Sequence, residues 1–91
     1  MEQKLLKLGF NLKSSGFEYW LDAIKLYNKK DIKIMDIYEY LANKYDKDVM
    51  AIERCMRTCM KPARKNILKK TGYENKLTNG VFLKLIKIKI I

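Results

Sequence analysis

Asp48-Val49-Met50-Ala51-Ile52-Glu53-Arg54-Cys55-Met56-Arg57-Thr58-Cys59-Met60-Lys61 is a stretch whose side chains divide into two chemically opposite sets. Wound as a helix, Val49, Ile52, Met56, Cys59, Met60 and the following Ala63 gather within about 100 degrees of arc. Glu53, Arg54, Arg57, Thr58 and Lys61 fall on the opposite arc. One side therefore buries and the other offers a mixed, mainly basic surface. The polar joint Lys44 to Asp48 precedes it, and either Asp46 or Asp48 is a suitable N-cap. Downstream, Pro62 has no amide hydrogen, and its ring clashes with the carbonyl four residues earlier. A helix running unbroken through it would cost about 3 kcal/mol, which predicts a stop or kink near residues 60 to 62.

Working outward, Ile34, Ile37, Tyr38, Leu41 and Tyr45 repeat at three- and four-residue spacing and predict a helix over about 34 to 45. Before it, Lys29, Lys30 and Asp31 form a polar break. Phe17, Trp20, Leu21, Ile24 and Tyr27 mark an earlier helix, with Ser14 or Ser15 as its N-cap and Glu18 in its first turn. Residues 2 to 8 suit a short first helix with Leu5, Leu6 and Leu8 inward, ended by Gly9. On the other side, Pro62 fits the first turn of a fifth helix that runs to Lys70 and closes at Thr71-Gly72. A sixth starts at Gly80 or Val81 behind Thr78 or Asn79. Its end is ambiguous in period, since Ile86, Ile88 and Ile90 alternate with lysines as a strand would; helix is the reading taken. One Pro and four Gly leave little turn chemistry for many strands. The expectation is an all-α fold of about six short helices around a helix-turn-helix, forming one domain over residues 1–91.

Twenty Lys and Arg against ten Asp and Glu give a net charge of +10, which implies an anionic partner. The excess is lopsided. Residues 1–48 carry nine basic and eight acidic side chains, whereas residues 49–91 carry eleven basic ones against Glu53 and Glu74 alone. Arg54, Arg57 and Arg64 are the only arginines and fall within eleven residues. A guanidinium fork pairs bidentately with guanine edges or phosphates, which an ammonium cannot do.

Histidine is absent, and no phosphate-cradling Gly-rich loop, nucleophile–base pair or convincingly spaced carboxylate pair occurs, so a non-enzymatic role without cofactor is expected. Cys55 and Cys59 are too few for a tetrahedral metal site within one chain; four residues apart, they read as small apolar side chains on one helical side. No signal peptide and no apolar run of membrane-spanning length is present, which points to the cytoplasm. What remains is a helix whose outer face mixes Glu53, Arg54, Arg57 and Thr58, the residue types that read base edges, behind another amphipathic helix and a short turn. Lys47, Lys61, Arg64 and Lys65 are candidates for phosphate contacts. A carboxylate facing DNA is unfavourable unless it accepts from a base or braces an arginine, which makes Glu53 the telling residue.

Leu8-Gly9-Phe10, Gly16-Phe17, Tyr19 and Leu21 to Ile24 resemble the opening of the DNA-binding effector domain of the sporulation initiation master regulator, the stage 0 sporulation protein A family. Tyr38 to Tyr45 resembles that family's first helix-turn-helix helix. Ile52-Glu53-Arg54 with Met56-Arg57 resembles its recognition helix, and Gly72-Tyr73 with Lys76 to Phe82 its closing segment. The resemblance implies a six-helix transcription regulator that binds short boxes in sporulation promoters, often as tandem copies, with Glu53, Arg54, Arg57 and Thr58 at base-reading positions. Met50 and Ala51 depart from it, standing where the family has polar or basic residues. The chain opens with Met1 directly before the effector-like segment, so the expectation is either a piece cut from a longer chain or a stand-alone relative without the family's receiver. Hence the alternative expectation: a receiver-less interaction module that antagonises a full-length relative by pairing or site competition. A homodimer or tandem copies on DNA would use the segment 81–91, whose Ile-rich tail from Leu85 to Ile91 reads alternatively as core. A membrane-surface role fits less well, because the aromatic residues lie mostly in the half opposite the charge.

Overall fold

Ser14 sets the start of the longest helix: its backbone is extended and its Oγ accepts from the Gly16 amide at 3.1 Å, so of the two serines it is the cap. The computed structural model describes residues 1–30 and 32–88 and is all-helical, with no strand among those residues. In chain order they form α1 (Glu2–Leu8), α2 (Ser15–Lys29), α3 (Ile34–Tyr45), α4 (Val49–Met60), a 3-10 turn (Lys61–Ala63), α5 (Arg64–Thr71) and α6 (Asn79–Lys87). None of these helices is long and apolar enough to cross a membrane.

Helix α2 is the hub, packing on α3, α4 and α6. It buries Tyr19 and Ala23 as well as the expected Phe17, Trp20 and Ile24, while Leu21 and Tyr27 are only half-buried. Neighbours on several sides widen the buried stripe beyond the single face that periodicity marks. Trp20 is fully enclosed, edge-on to Phe10 and Phe82 with ring centroids 5.7 and 5.2 Å away. Its Nε1 donates to the Met56 carbonyl of α4 at 2.8 Å. A Cβ at Gly16 would lie 2.3 Å from the Cys55 carbonyl oxygen and 2.8 Å from Cys59 Cβ, so the two backbones touch where α2 begins.

Three expectations need correction. Leu6 is exposed rather than inward: Leu5 and Leu8 share the buried side, and Leu6, one position on from Leu5, is rotated off it. Pro62 lies in the 3-10 turn and α5 begins only at Arg64. As expected, α4 stops at Met60; the backbone stays right-handed through Lys61 and tightens into the 3-10 turn, with the Lys61 amide shared by Arg57 and Thr58 carbonyls. In α6, which starts at Asn79 with Thr78 as cap, Phe82, Leu83, Leu85 and Ile86 are core side chains. Among the described residues of the proposed pairing segment, Phe82, Leu83, Leu85 and Ile86 are thus turned inward, and Lys84, Lys87 and Ile88 outward. Residues 89–91 of that segment, and Asp31 of the polar break, lie outside the described residues.

Helix α3 is fastened to α2 through Asp22, which accepts from Tyr45 Oη at 2.5 Å and from Lys44 Nζ at 2.9 Å. Burial pushes the Asp22 carboxyl up, but these two bonds, together with the charges of Lys44 and Lys25, outweigh it and hold it below its ordinary value; the bond to Asp22 in turn raises the Tyr45 phenol. Asn66 Nδ2 joins α5 to α1 by donating to the Leu8 carbonyl at 2.8 Å.

Two outcomes follow from this packing. Gly16→Ala should destabilise the fold by about 3 kcal/mol, because a carbonyl oxygen cannot step aside as a flexible side chain would. An unchanged midpoint in urea titration would show that α2 and α4 do not meet there. A carboxylate with a lowered folded pKa contributes stability above the unfolded pKa and loses it as pH falls through the folded one. Asp22→Asn should therefore be less stable than the parent chain at pH 7, with the gap closing below about pH 4. Thermal melts across that range test it; a constant gap would remove Asp22's carboxylate charge from the account.

Candidate nucleic-acid interface

Three residues separate α3 from α4. Asp46 ends α3 in the left-handed region (φ 54, ψ 53), which a short polar side chain tolerates, and the Lys47 amide reaches back to the Ala42 carbonyl at 3.0 Å. Asp48 holds the N-cap position of α4, yet its side chain makes no capping bond, so its carboxylate is left at the surface.

The inner side of α4 is fixed at several points. Ile52, Met56, Cys59 and Met60 are buried, Trp20 holds the Met56 carbonyl, and Asn11 is bonded twice to Cys59, its amide to the carbonyl and its carbonyl to Sγ. Burial pushes the Cys59 thiol up, away from the reactive thiolate, while Cys55 is half-buried at the Gly16 crossing.

The outer side carries Arg54, Arg57, Thr58 and Lys61, all exposed, and Glu53, which is half-buried. Glu53 Oε2 and Arg57 Nε form an ion pair at 3.0 Å, with 64% of the Arg57 side chain still exposed. This is the contact that the four-residue spacing allows on any solvated helical face, as well as one that would brace an arginine. Met50, in the first turn on the same side, is 72% exposed.

Arg57, Thr58, Lys61 and Arg64 meet in one depression with Met60, Lys76 and Leu77. A second depression, lined by Glu53 and Arg57 with Ile34, Tyr38, Lys76 and Thr78 among others, shares Arg57, Lys76 and Leu77 with the first. Together they form a groove along α4 whose far wall is the segment 76–80. Lys47, Arg54 and Lys65 are exposed but line neither depression. Lys76 is the residue missed in the sequence. Three residues on, a buried side chain fastens the same segment: Asn79, 5% exposed, donates through Nδ2 to Tyr38 Oη at 3.0 Å and to the Glu53 carbonyl at 3.3 Å. Burial correspondingly raises the Tyr38 phenol. Only the placement of Asn79 directly after the cap residue Thr78 hinted at a structural role.

Comparison of the chain with protein-family models, with curated proteins and with solved structures finds no match in any of the three.

Proposed function

We propose that the chain is a sequence-specific regulator of transcription that binds double-stranded DNA, with α3, the turn 46–48 and α4 acting as a helix-turn-helix and α4 entering the major groove. One observation carries this reading: α4 is immobilised by buried contacts on one side, while its other side offers solvent a braced arginine among further polar and cationic groups. Rigid placement of base-reading groups is what discrimination between sequences requires. The mechanism is equilibrium binding to a promoter box, with no bond made or broken. It agrees with the resemblance to the sporulation regulator's effector domain.

In this reading Arg57 donates from Nη1 and Nη2 to a guanine edge, because Nε is already engaged by Glu53. Glu53 is then a positioning residue, with Arg54 and Thr58 as its base-reading neighbours. Lys61 and Arg64 neutralise phosphates, as do Lys47 and Lys65 at the margins. A pairing module built on residues 81–91 is disfavoured, since Phe82, Leu83, Leu85 and Ile86 are interior.

Selection from random duplexes should enrich one box, bound well above background DNA. Arg57→Ala should cost about 1–3 kcal/mol against that box and much less against random duplex, and Arg57→Lys should recover little, because the fork is lost. Full recovery by lysine would reduce Arg57 to a point charge. Glu53→Gln separates brace from reader. A lost brace lowers discrimination across the box while raising affinity for random DNA, through removal of a negative charge. Altered preference at a single C·G pair, with the rest of the box unchanged, would instead make Glu53 a base reader.

A further inference from the structure

We propose that the groove between α4 and the segment 76–80 grips the sugar-phosphate backbone of one DNA strand, with Lys76 as the cation of its outer wall. This rests on the DNA-binding reading above, in which Arg57 and Thr58 on the α4 wall read bases, and adds the segment 76–80 as a further contact element beside the helix-turn-helix.

The groove draws Arg57 from α4, Lys61 from the 3-10 turn, Arg64 from α5 and Lys76 from the segment before α6. Its one carboxylate, Glu53, is already neutralised by Arg57. With Arg57 and Glu53 compensating each other, the excess charge comes from Lys61, Arg64 and Lys76, and a polyanion relieves their mutual repulsion by releasing counterions from both surfaces. The position also suits a backbone strand. A helix lying in the major groove is flanked by the phosphates of the strands that border it, and the cationic groove runs along the flank of α4.

The wall is preformed. Leu77 is buried and Asn79 ties the start of α6 to the Glu53 carbonyl, so little ordering of the 76–80 segment opposes binding. Thr78 Oγ1 accepts from the Val81 amide, which leaves its proton available to a phosphate oxygen.

Duplex binding by the full chain tests this, with Lys76→Ala compared to Lys70→Ala. Lys70 is an exposed lysine of α5 that lies beside Lys4, Lys7 and Asn66 and not on the groove. Lys76→Ala should weaken the selected box and random duplex by the same factor and lower the slope of log affinity against log salt by about one contact. Lys70→Ala should leave both unchanged. Replacing single phosphates of the box by neutral methylphosphonates should reveal a flanking position to which the parent chain is sensitive and the Lys76→Ala chain is not. The proposal is overturned if Lys76→Ala behaves as Lys70→Ala does, or if sensitivity at every phosphate survives Lys76→Ala. Absence of any preferred box or salt dependence in the parent chain is a different result: it removes the DNA reading itself, and the groove's role with it.

Discussion

The crossing of α2 over α4 is the contact on which the other contacts turn. At Gly16 the two backbones meet so closely that no side chain fits between them, and one turn along, Trp20 closes the gap with a hydrogen bond to the Met56 carbonyl. A buried indole N–H without an acceptor would cost about 1–3 kcal/mol, so this bond fixes the register of α4 as well as its distance. Phe10 and Phe82 then close around the same indole, bringing the α1–α2 connection and α6 into one core. A small chain with so little interior gains much from using one large side chain to order three elements.

That crossing also separates platform from surface. The first half of the chain is close to charge-balanced and supplies most of the aromatic core, through α2 and α3. The second half carries the charge excess on α4, α5 and the approach to α6. Mutual repulsion among those cations is opposed by rigid apolar packing beneath them, so the charged side need not supply stability of its own. Asp22, with Tyr45 and Lys44, does the fastening within the balanced half, and Asn79 does it across to the basic half.

All-helical class and nearly every helix boundary were legible in the sequence, because the apolar residues of α2, α3 and α4 repeat cleanly and Gly9, Ser14, Gly72 and Thr78 punctuate them. Leu6 misled because three leucines in seven residues exceed what a short helix can bury against one neighbour. Pro62 misled in degree only, since a 3-10 turn tolerates the missing amide without breaking the path of the chain. The isoleucines after Val81 hid their role for want of a clear period, and burial resolved it as far as Ile86. Along α4 the polar face was legible from spacing alone. The groove was not, because it places Lys76 and Arg57 on the walls of one depression across the fold, and the nearby Asn79 is tied to a residue 26 positions away.

Magnitudes decide what the Glu53–Arg57 pair is for. An exposed helical pair at this spacing contributes about 0.2–0.5 kcal/mol, even with the acid on the favourable N-terminal side. Immobilising a free arginine side chain loses about 2 kcal/mol of rotamer entropy. The pair is therefore too weak to matter to a fold held by Trp20 and Gly16. In the proposed DNA reading its consequence is geometric: Nε is engaged by Glu53, Nη1 and Nη2 are left for a bidentate contact, and part of the ordering that such a contact demands is met beforehand. Glu53 is held in turn at its backbone, whose carbonyl accepts from the buried Asn79. The Arg57 fork on α4 is thus linked, through one carboxylate and one amide, to the interior that orders the rest of the chain.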